Sequence, residues 1–363
     1  MINVTKTYLP PLNLYIKYLR KIWKNNWVTN DGEFSQQLEA ELKKFLEVKN
    51  IVLLGNGTLA LQLTYRALDL KGEVITTPFT FPATTNSLIW EGIKPVFVDI
   101  DPNTFNIDPK EVEKKINKDT SAILAVHVFG NPCDVESLSK IAKKYNLKLI
   151  YDAAHVFGVE YKRKSILEWG NASTLSFHAA KTFHTIEGGA VVSRNKITRD
   201  KIKLLSNHGI KSKDEIVMAG INARMNEFEA VMGLLQLKNY RSRAEKRKKI
   251  YDFYASQFRN NPRLKLQSLN KNLTYFTYPY FPVCFESEKI TKKVLGVLLR
   301  NAIIPRRYFY PSIHEFSYIN KKYNLKNSEK ISHTILCLPL YEELSMQEAS
   351  TIVNLVDKVI KST

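Results

Sequence analysis

The stretch "LSFHAAKTFHTIEGGAVV", residues 175–192, sets one lysine, Lys181, between an apolar-aromatic approach and a Gly-Gly pair. A lysine partly withdrawn from water has a lowered pKa and a nucleophilic amine that can form a Schiff base with an aldehyde. The plain alternative is a solvated surface charge. Ser176, just upstream, offers a hydroxyl that could help hold a phosphate. "LIYDAAHVFG" carries Asp152 at the end of an apolar run, followed by two alanines and His155. A carboxylate there can hold a heterocyclic nitrogen protonated, because an opposite charge favours the ionised form. Small residues after it would let a flat group approach the backbone, although an N-cap or a buried salt-bridge partner would read the same way. "LLGNGTLALQL" sets Gly57 and Thr58 between an apolar run and a helical pattern. Free N–H groups and a hydroxyl at a helix start make an anion site, or simply a capped turn. This is neither a Walker loop nor GxGxxG. Together, an anion turn, a strand-end carboxylate and a sheltered lysine suit pyridoxal phosphate, whose protonated ring serves as an electron sink.

These residues need a frame that holds them together. "GTLALQLTYRALDL" (57–70) has helical apolar spacing, while "EVITTPF", "KPVFVDI", "SAILAVHVFG" and "LKLIYDAAH" are short β-rich runs between turn or helix signals. That alternation predicts βα units and a mostly parallel sheet covered by helices on both faces. Ligands in such sheets sit beyond the carboxyl ends of the strands. "FHAAK" and "EGGAVV" read as a strand and hairpin around Lys181. Residues 225–258 are helical in pattern, too long for one ordinary helix, and are expected to link two domains. We expect a large domain over 1–240 and a small α+β domain over 241–363, the latter containing "YFPVCF", a helix near "ITKKVLGVLLRNAI" and a closing helix "SMQEASTIVNLVDKVI".

Composition narrows the function classes. A chain of 363 residues with 44% hydrophobic content can build a sizeable core. Cys133, Cys284 and Cys337 are scattered without CxxC spacing, so neither a zinc site nor a disulfide framework is indicated, and a reducing cytoplasm fits. The opening "MINVTKTYLPPLNLYIKYLRKIW" has a lysine and two prolines before any apolar run, unlike a secretory signal, and no stretch approaches the roughly 20 apolar residues of a membrane span. The 54 basic against 35 acidic residues give a charge of +19. Basic residues are spread widely except for "RSRAEKRKK", Arg241 to Lys249, which lacks interleaved aromatics and reads as a solvated helix rather than a nucleic-acid site. Asp99 and Asp101 in "FVDID" read as a strand-terminating turn rather than a metal site. His178 and His184 flank Lys181 and either tune it or pack beside it.

The segments "GNGTLALQL", "TTPFTFPATTNSLIWEGIKPVFVDIDPNTFNID", "VHVFGNPCD", "YDAAHVFG", "SFHAAKTFHTIEGGAVV", "INARMNEFEAVMGLLQL" and "CLPLY" run in order across nearly the whole chain. In these the sequence resembles the DegT/DnrJ/EryC1/StrS family of pyridoxal-phosphate sugar aminotransferases. The resemblance implies the aspartate-aminotransferase fold (α/β, pyridoxal-phosphate fold type I), a large mostly parallel-sheet domain and a smaller C-terminal one. It further implies that Lys181 attaches the cofactor and then shuttles a proton, that Asp152 pairs with the pyridinium, and that Phe81 stacks on the ring. Gly57, Thr58 and Ser176 would hold the phosphate, and His155 stands where many relatives have Gln near the phenolic oxygen. Asn222, in "GINARM", would reach the phosphate in the neighbouring subunit, making a homodimer with shared sites necessary. The implied reaction moves an amino group from glutamate to a nucleotide-linked keto-deoxy sugar. In "TYLPPLNLYIKYLRKIW" and "RRYFYPSIH" the sequence is most similar to members acting on dTDP-4-keto-6-deoxyglucose, so the resemblance implies that acceptor, with C3 amination of a dTDP-3-keto-6-deoxyhexose as the alternative. Lys181 separates the chain from the dehydrating branch, which carries His there. Asp152 and Lys181 weigh against a regulatory protein with a retired site, and the diffuse charge against a nucleic-acid binder.

Overall fold

Seven short runs form one sheet: β1 (Ile51–Leu54), β2 (Glu73–Thr76), β3 (Lys94–Phe97), β4 (Thr120–Val126), β5 (Lys148–Asp152), β6 (Ala172–Ser176) and β7 (Gly189–Ser193). The computed structural model describes residues 1–319 and 321–362; Asn320 and Thr363, both inside the range expected for the small domain, lie outside the described residues. The spatial order is β1-β7-β6-β5-β4-β2-β3. All neighbours run parallel except β7, which is antiparallel to β1 and β6. A parallel sheet is covered on both faces, so its strands read as near-continuous apolar runs. Accordingly, every residue of β4 except Ser121 is buried. The register pairs Val126 with Asp152 and Asp152 with Thr174, which brings three carboxyl-end residues side by side.

Helices pack against this sheet. α1 (Leu12–Asn25) has no counterpart in the sequence reading; α2 (Glu33–Phe45), α3 (Gly57–Ala67) and α4 (Pro82–Trp90) follow. The long helical stretch divides into α5 (Glu227–Leu237) and α6 (Tyr240–Phe258). Asn226 starts α5 through a reciprocal capping box with Glu229. The buried Glu227 carboxylate accepts from the Phe34 and Ser35 amides, 2.8 Å each, so a residue of α5 satisfies the exposed donors at the start of α2.

A second core surrounds the antiparallel strands β8 (Leu264–Leu266), β9 (Phe281–Phe285) and β10 (Ile335–Leu338), with α7 (Glu288–Arg300) and α8 (Met346–Lys361) against them. α6 joins the two cores: Tyr240 belongs to the main one, Tyr254 and Phe258 to the second. The N-terminal segment also crosses between them. Ile2–Asn3 pairs with Ile303–Ile304, Val4 O accepts from the Leu340 amide at 3.0 Å, and the Thr7 hydroxyl donates to Ala179 O at 3.1 Å beside Lys181. Asp101 accepts from the Asn103 and Thr104 amides in a local turn, whereas Asp99 accepts from the Asn327 and Ser328 amides and so caps the start of the distant helix Lys326–Thr334. Among the described residues, no helix is long and apolar enough to cross a membrane.

Candidate active site

The β1–α3 turn is shaped for an anion. Asn56 caps α3 by accepting from the Leu59 amide at 2.9 Å, which leaves the Gly57 and Thr58 amides as the first free donors of the helix. A Cβ on Gly57 would lie 2.9 Å from the Ser176 Cβ, so only glycine lets this turn close against β6. Gly189 does the same from β7: a Cβ there would lie 2.5 Å from the Asn56 carbonyl. The register Ser176↔Gly189 and Gly189↔Leu54 locks the three strand ends into one cradle. The Gly-Gly pair, read from sequence as a hairpin signal, therefore serves the close approach of two backbones.

Lys181 stands in the connection between β6 and β7, which is a long irregular loop over residues 177–188 rather than a strand leading into a tight turn. Packing fixes the loop instead of strand pairing. Phe177 and Phe183 are fully buried, and Phe183 stacks on Phe157 at 4.1 Å between ring centroids. The Phe177 amide donates to Gly188 O at 2.8 Å, and the Thr185 amide donates to Phe177 O at 2.9 Å. Burial lowers the Lys181 ammonium from 10.5 to about 8, against the opposing pull of Asp152. An appreciable fraction is then unprotonated near neutrality, as a nucleophilic amine requires.

Asp152 closes β5 and is 8% exposed. Oδ2 accepts from the Thr84 hydroxyl at 2.8 Å and Oδ1 from the Ala154 amide at 3.1 Å. Burial raises its pKa, while those two hydrogen bonds and the charge of Lys181 work against the rise. His155 is buried, and its Nδ1 accepts from the Phe129 amide at 3.2 Å. The neutral ring then carries its proton on Nε2, and burial pushes its pKa well below 6.5. Phe81, at the start of α4, is 57% exposed, an aromatic face presented to the opening rather than a core residue.

Gly57, Thr58, Phe81, Asp152, His155, Ser176 and Lys181 line one cavity of about 260 Å³ at the carboxyl ends of the strands. Asn222 is outside it, exposed, with its amide oxygen accepting from Arg224 at 3.2 Å. Of the two flanking histidines, His184 packs: buried, its Nε2 lies 2.8 Å from Tyr8 O while Nδ1 accepts from the Ile186 amide. His178 is exposed, lines the cavity and accepts from the Ala180 amide.

Sequence reasoning missed the wall supplied by aromatic residues from the C-terminal part of the chain, which cluster with Phe129 beyond the end of β4. Tyr280, Tyr308 and Phe309 line the same cavity. Phe309 lies parallel to Phe129 at 5.7 Å and to His155 at 6.2 Å, while Tyr280 meets His155 edge-on at 4.8 Å. Their only local signal is the aromatic density of "YPYFPVCF" and "RRYFYPSIH".

The residues present fit pyridoxal phosphate: a glycine cradle with free amides for a phosphate, a buried carboxylate for a ring nitrogen, an exposed aromatic face for a flat ring and a low-pKa amine for an aldehyde. On a fold-type-I sheet, this set is the site of a pyridoxal-phosphate-dependent enzyme. Residues 13–357 match the DegT/DnrJ/EryC1/StrS aminotransferase family, and the chain belongs to it. It is 43% identical over 363 residues to a dTDP-4-amino-4,6-dideoxy-D-glucose transaminase of Shigella dysenteriae, covering 99% of each chain. A transaminase of the same description from Escherichia coli is 39% identical, with 98% of each chain covered. Among solved structures, DesI in the presence of its TDP-sugar product superposes with a TM-score of 0.93 at 28% identity, covering 99% of this chain and 93% of that one.

Proposed function

We propose that the protein transfers the amino group of L-glutamate to C4 of dTDP-4-keto-6-deoxyglucose, yielding 2-oxoglutarate and dTDP-4-amino-4,6-dideoxyglucose. The observation that carries this reading is the 43% identity, over 99% of both chains, to a transaminase of that description. Bound pyridoxal phosphate would supply an aldehyde that receives nitrogen and a protonated ring that accepts electrons. The Gly57 and Thr58 amides, with the Thr58 and Ser176 hydroxyls, would hold its phosphate. Phe81 would flank the ring, Asp152 would keep the ring nitrogen protonated, and the His155 Nε2–H would be left to donate to an oxygen. Lys181 Nζ is the base: it removes the proton from the donor's Cα and, in the return half, delivers a proton to the sugar carbon. Tyr280, Tyr308 and Phe309 exclude water on the sugar side.

Asn222 is the residue assigned to the second subunit of a homodimer. Its position outside its own cavity supports that role, as do Ile216, Val217 and Ile221 exposed around it. The widespread positive charge suits two anionic substrates, with no need for nucleic acid. Three free, buried cysteines agree with a cytoplasmic setting. The test is incubation with L-glutamate and a panel of 3-keto and 4-keto nucleotide sugars, with the aminated carbon identified by NMR. Nitrogen at C4 of the dTDP sugar is expected. Nitrogen at C3 would move the assignment to the alternative acceptor, and no amination by cofactor-loaded protein would refute the reading.

A further inference from the structure

The basic run on α6 contains a cluster that the reaction above leaves unused. Arg243 and Arg247, one turn apart, are 4% and 1% exposed, so they depart from the solvated helix expected of this run. Both reach the Glu342 carboxylate, at 3.1 Å from Arg243 and 3.2 Å from Arg247. Arg247 commits its Nε and second Nη to Thr277 O, at 3.1 Å each. Arg243 donates one Nη to Gln236 O at 3.1 Å and lies 4.2 Å from the centroid of the Tyr8 ring, but its buried Nε has no partner. Within the cluster, two guanidinium groups face one carboxylate. His184 alongside stays neutral, with Nδ1 accepting and burial opposing its charge. One positive charge is thus left uncompensated in the interior, a costly arrangement that an incoming anion would relieve.

The cluster adjoins Lys181. Arg243, Arg247 and Glu342 line a narrow cleft of about 20 Å³ together with Tyr8 and Lys181, and Lys181, His155 and Tyr280 line this cleft and the main cavity alike. That volume has room for roughly one water molecule, so an entering carboxylate would displace it and spread the cluster.

Resting on the aminotransferase reading, we propose that this cleft is the subsite for the side-chain carboxylate of the amino donor, with Arg243 as its anchor and Glu342 as a built-in counter-ion against which the donor competes. Arginine's planar fork suits a carboxylate, and the free Nε edge is the available donor. The site then selects dicarboxylic amino acids over those with an apolar side chain.

The experiment titrates glutarate, which has both carboxylates of the donor but no amine to react, into cofactor-loaded protein by calorimetry, with butyrate as the single-carboxylate control. Wild type should bind glutarate in preference to butyrate, Arg243→Gln should weaken glutarate by about tenfold or more, and Glu342→Gln should tighten it by a similar factor. The opposite signs matter, because a purely structural ion cluster would leave glutarate unchanged in both variants or weaken it in both. Equal glutarate affinity in a folded Arg243→Gln protein, weaker binding in Glu342→Gln, or no preference over butyrate in wild type would each overturn the proposal. If Arg243→Gln fails to fold by circular dichroism, the wild-type preference and the sign in Glu342→Gln decide. Loss of glutarate selectivity in an enzyme that still aminates sugar defeats this subsite alone, whereas absence of sugar amination defeats the reaction assigned above.

Discussion

Replacing Asp152 by Asn separates charge from shape. The carboxylate accepts from the Thr84 hydroxyl at 2.8 Å and the Ala154 amide at 3.1 Å, and Thr84 also lies 2.8 Å from the Thr80 hydroxyl. In the variant the amide oxygen keeps Ala154, the new NH2 donates to Thr84 Oγ1, and Thr84 turns its own proton toward Thr80. Every hydrogen bond survives and only the charge is lost. Burial raises the folded-state pKa of Asp152 above its unfolded value of 3.8, so the folded protein keeps that proton longer, and stability falls as pH rises through the interval between the two. Above that interval the cost is fully present in cofactor-free protein, so Asp152→Asn should there be at least as stable as wild type in denaturant. Activity should move the other way. Loss of a preorganised electrostatic stabiliser costs about 3 kcal/mol, roughly a hundredfold in rate. The assay is single-turnover reaction with glutamate, followed by absorbance at equal cofactor occupancy. A near wild-type rate would refute the reasoning and leave Asp152 as a structural strand-end carboxylate.

Gly189→Ala would drive a Cβ to 2.5 Å from the Asn56 carbonyl, so cofactor affinity should fall by about tenfold or more while circular dichroism stays native; unchanged affinity in a titration would count against the cradle. Lys181→Met should stabilise cofactor-free protein by on the order of 1–3 kcal/mol below pH 8, because the fall of the lysine from 10.5 to about 8 means that its charged form opposes folding there. The gain should fade between pH 8 and 10.5, as denaturation curves across that range would reveal; a constant or absent gain argues against a desolvated lysine. Mixing inactive Lys181→Ala with inactive Asn222→Ala protein, under conditions where subunits exchange, should restore activity through sites that draw one intact residue from each chain. No recovery despite demonstrated exchange would remove Asn222 from the partner's site.

Residues held by their own strand ends were legible in the sequence. Asp152 ends an apolar run, Gly57 and Thr58 start a helix, and Ser176 and Lys181 follow another run, so local pattern placed them at the sheet's carboxyl edge. What was not legible depends on distant partners. Nothing in "EGGAVV" says that Gly189 must clear Asn56, because that demand arises only when β7 inserts between β1 and β6. Likewise, Arg243 and Arg247 look like solvated charge until the Glu342 carboxylate and the Thr277 carbonyl, both distant in sequence, meet them. Tyr280 and Phe309 become cavity residues by packing on Phe129, distant in sequence and just beyond the end of β4. The aromatics of the Lys181 loop read as a strand, whereas Phe177 and Phe183 pin an irregular path by burial.

In the proposed reaction one lysine, Lys181, carries the chemistry. Borohydride reduction of the yellow holoenzyme, followed by digestion and mass spectrometry, tests it most directly. The prediction is a single reduced pyridoxyl adduct on the peptide containing Lys181, lost in Lys181→Ala. An adduct on a different lysine, or a protein that binds no cofactor, would contradict the account.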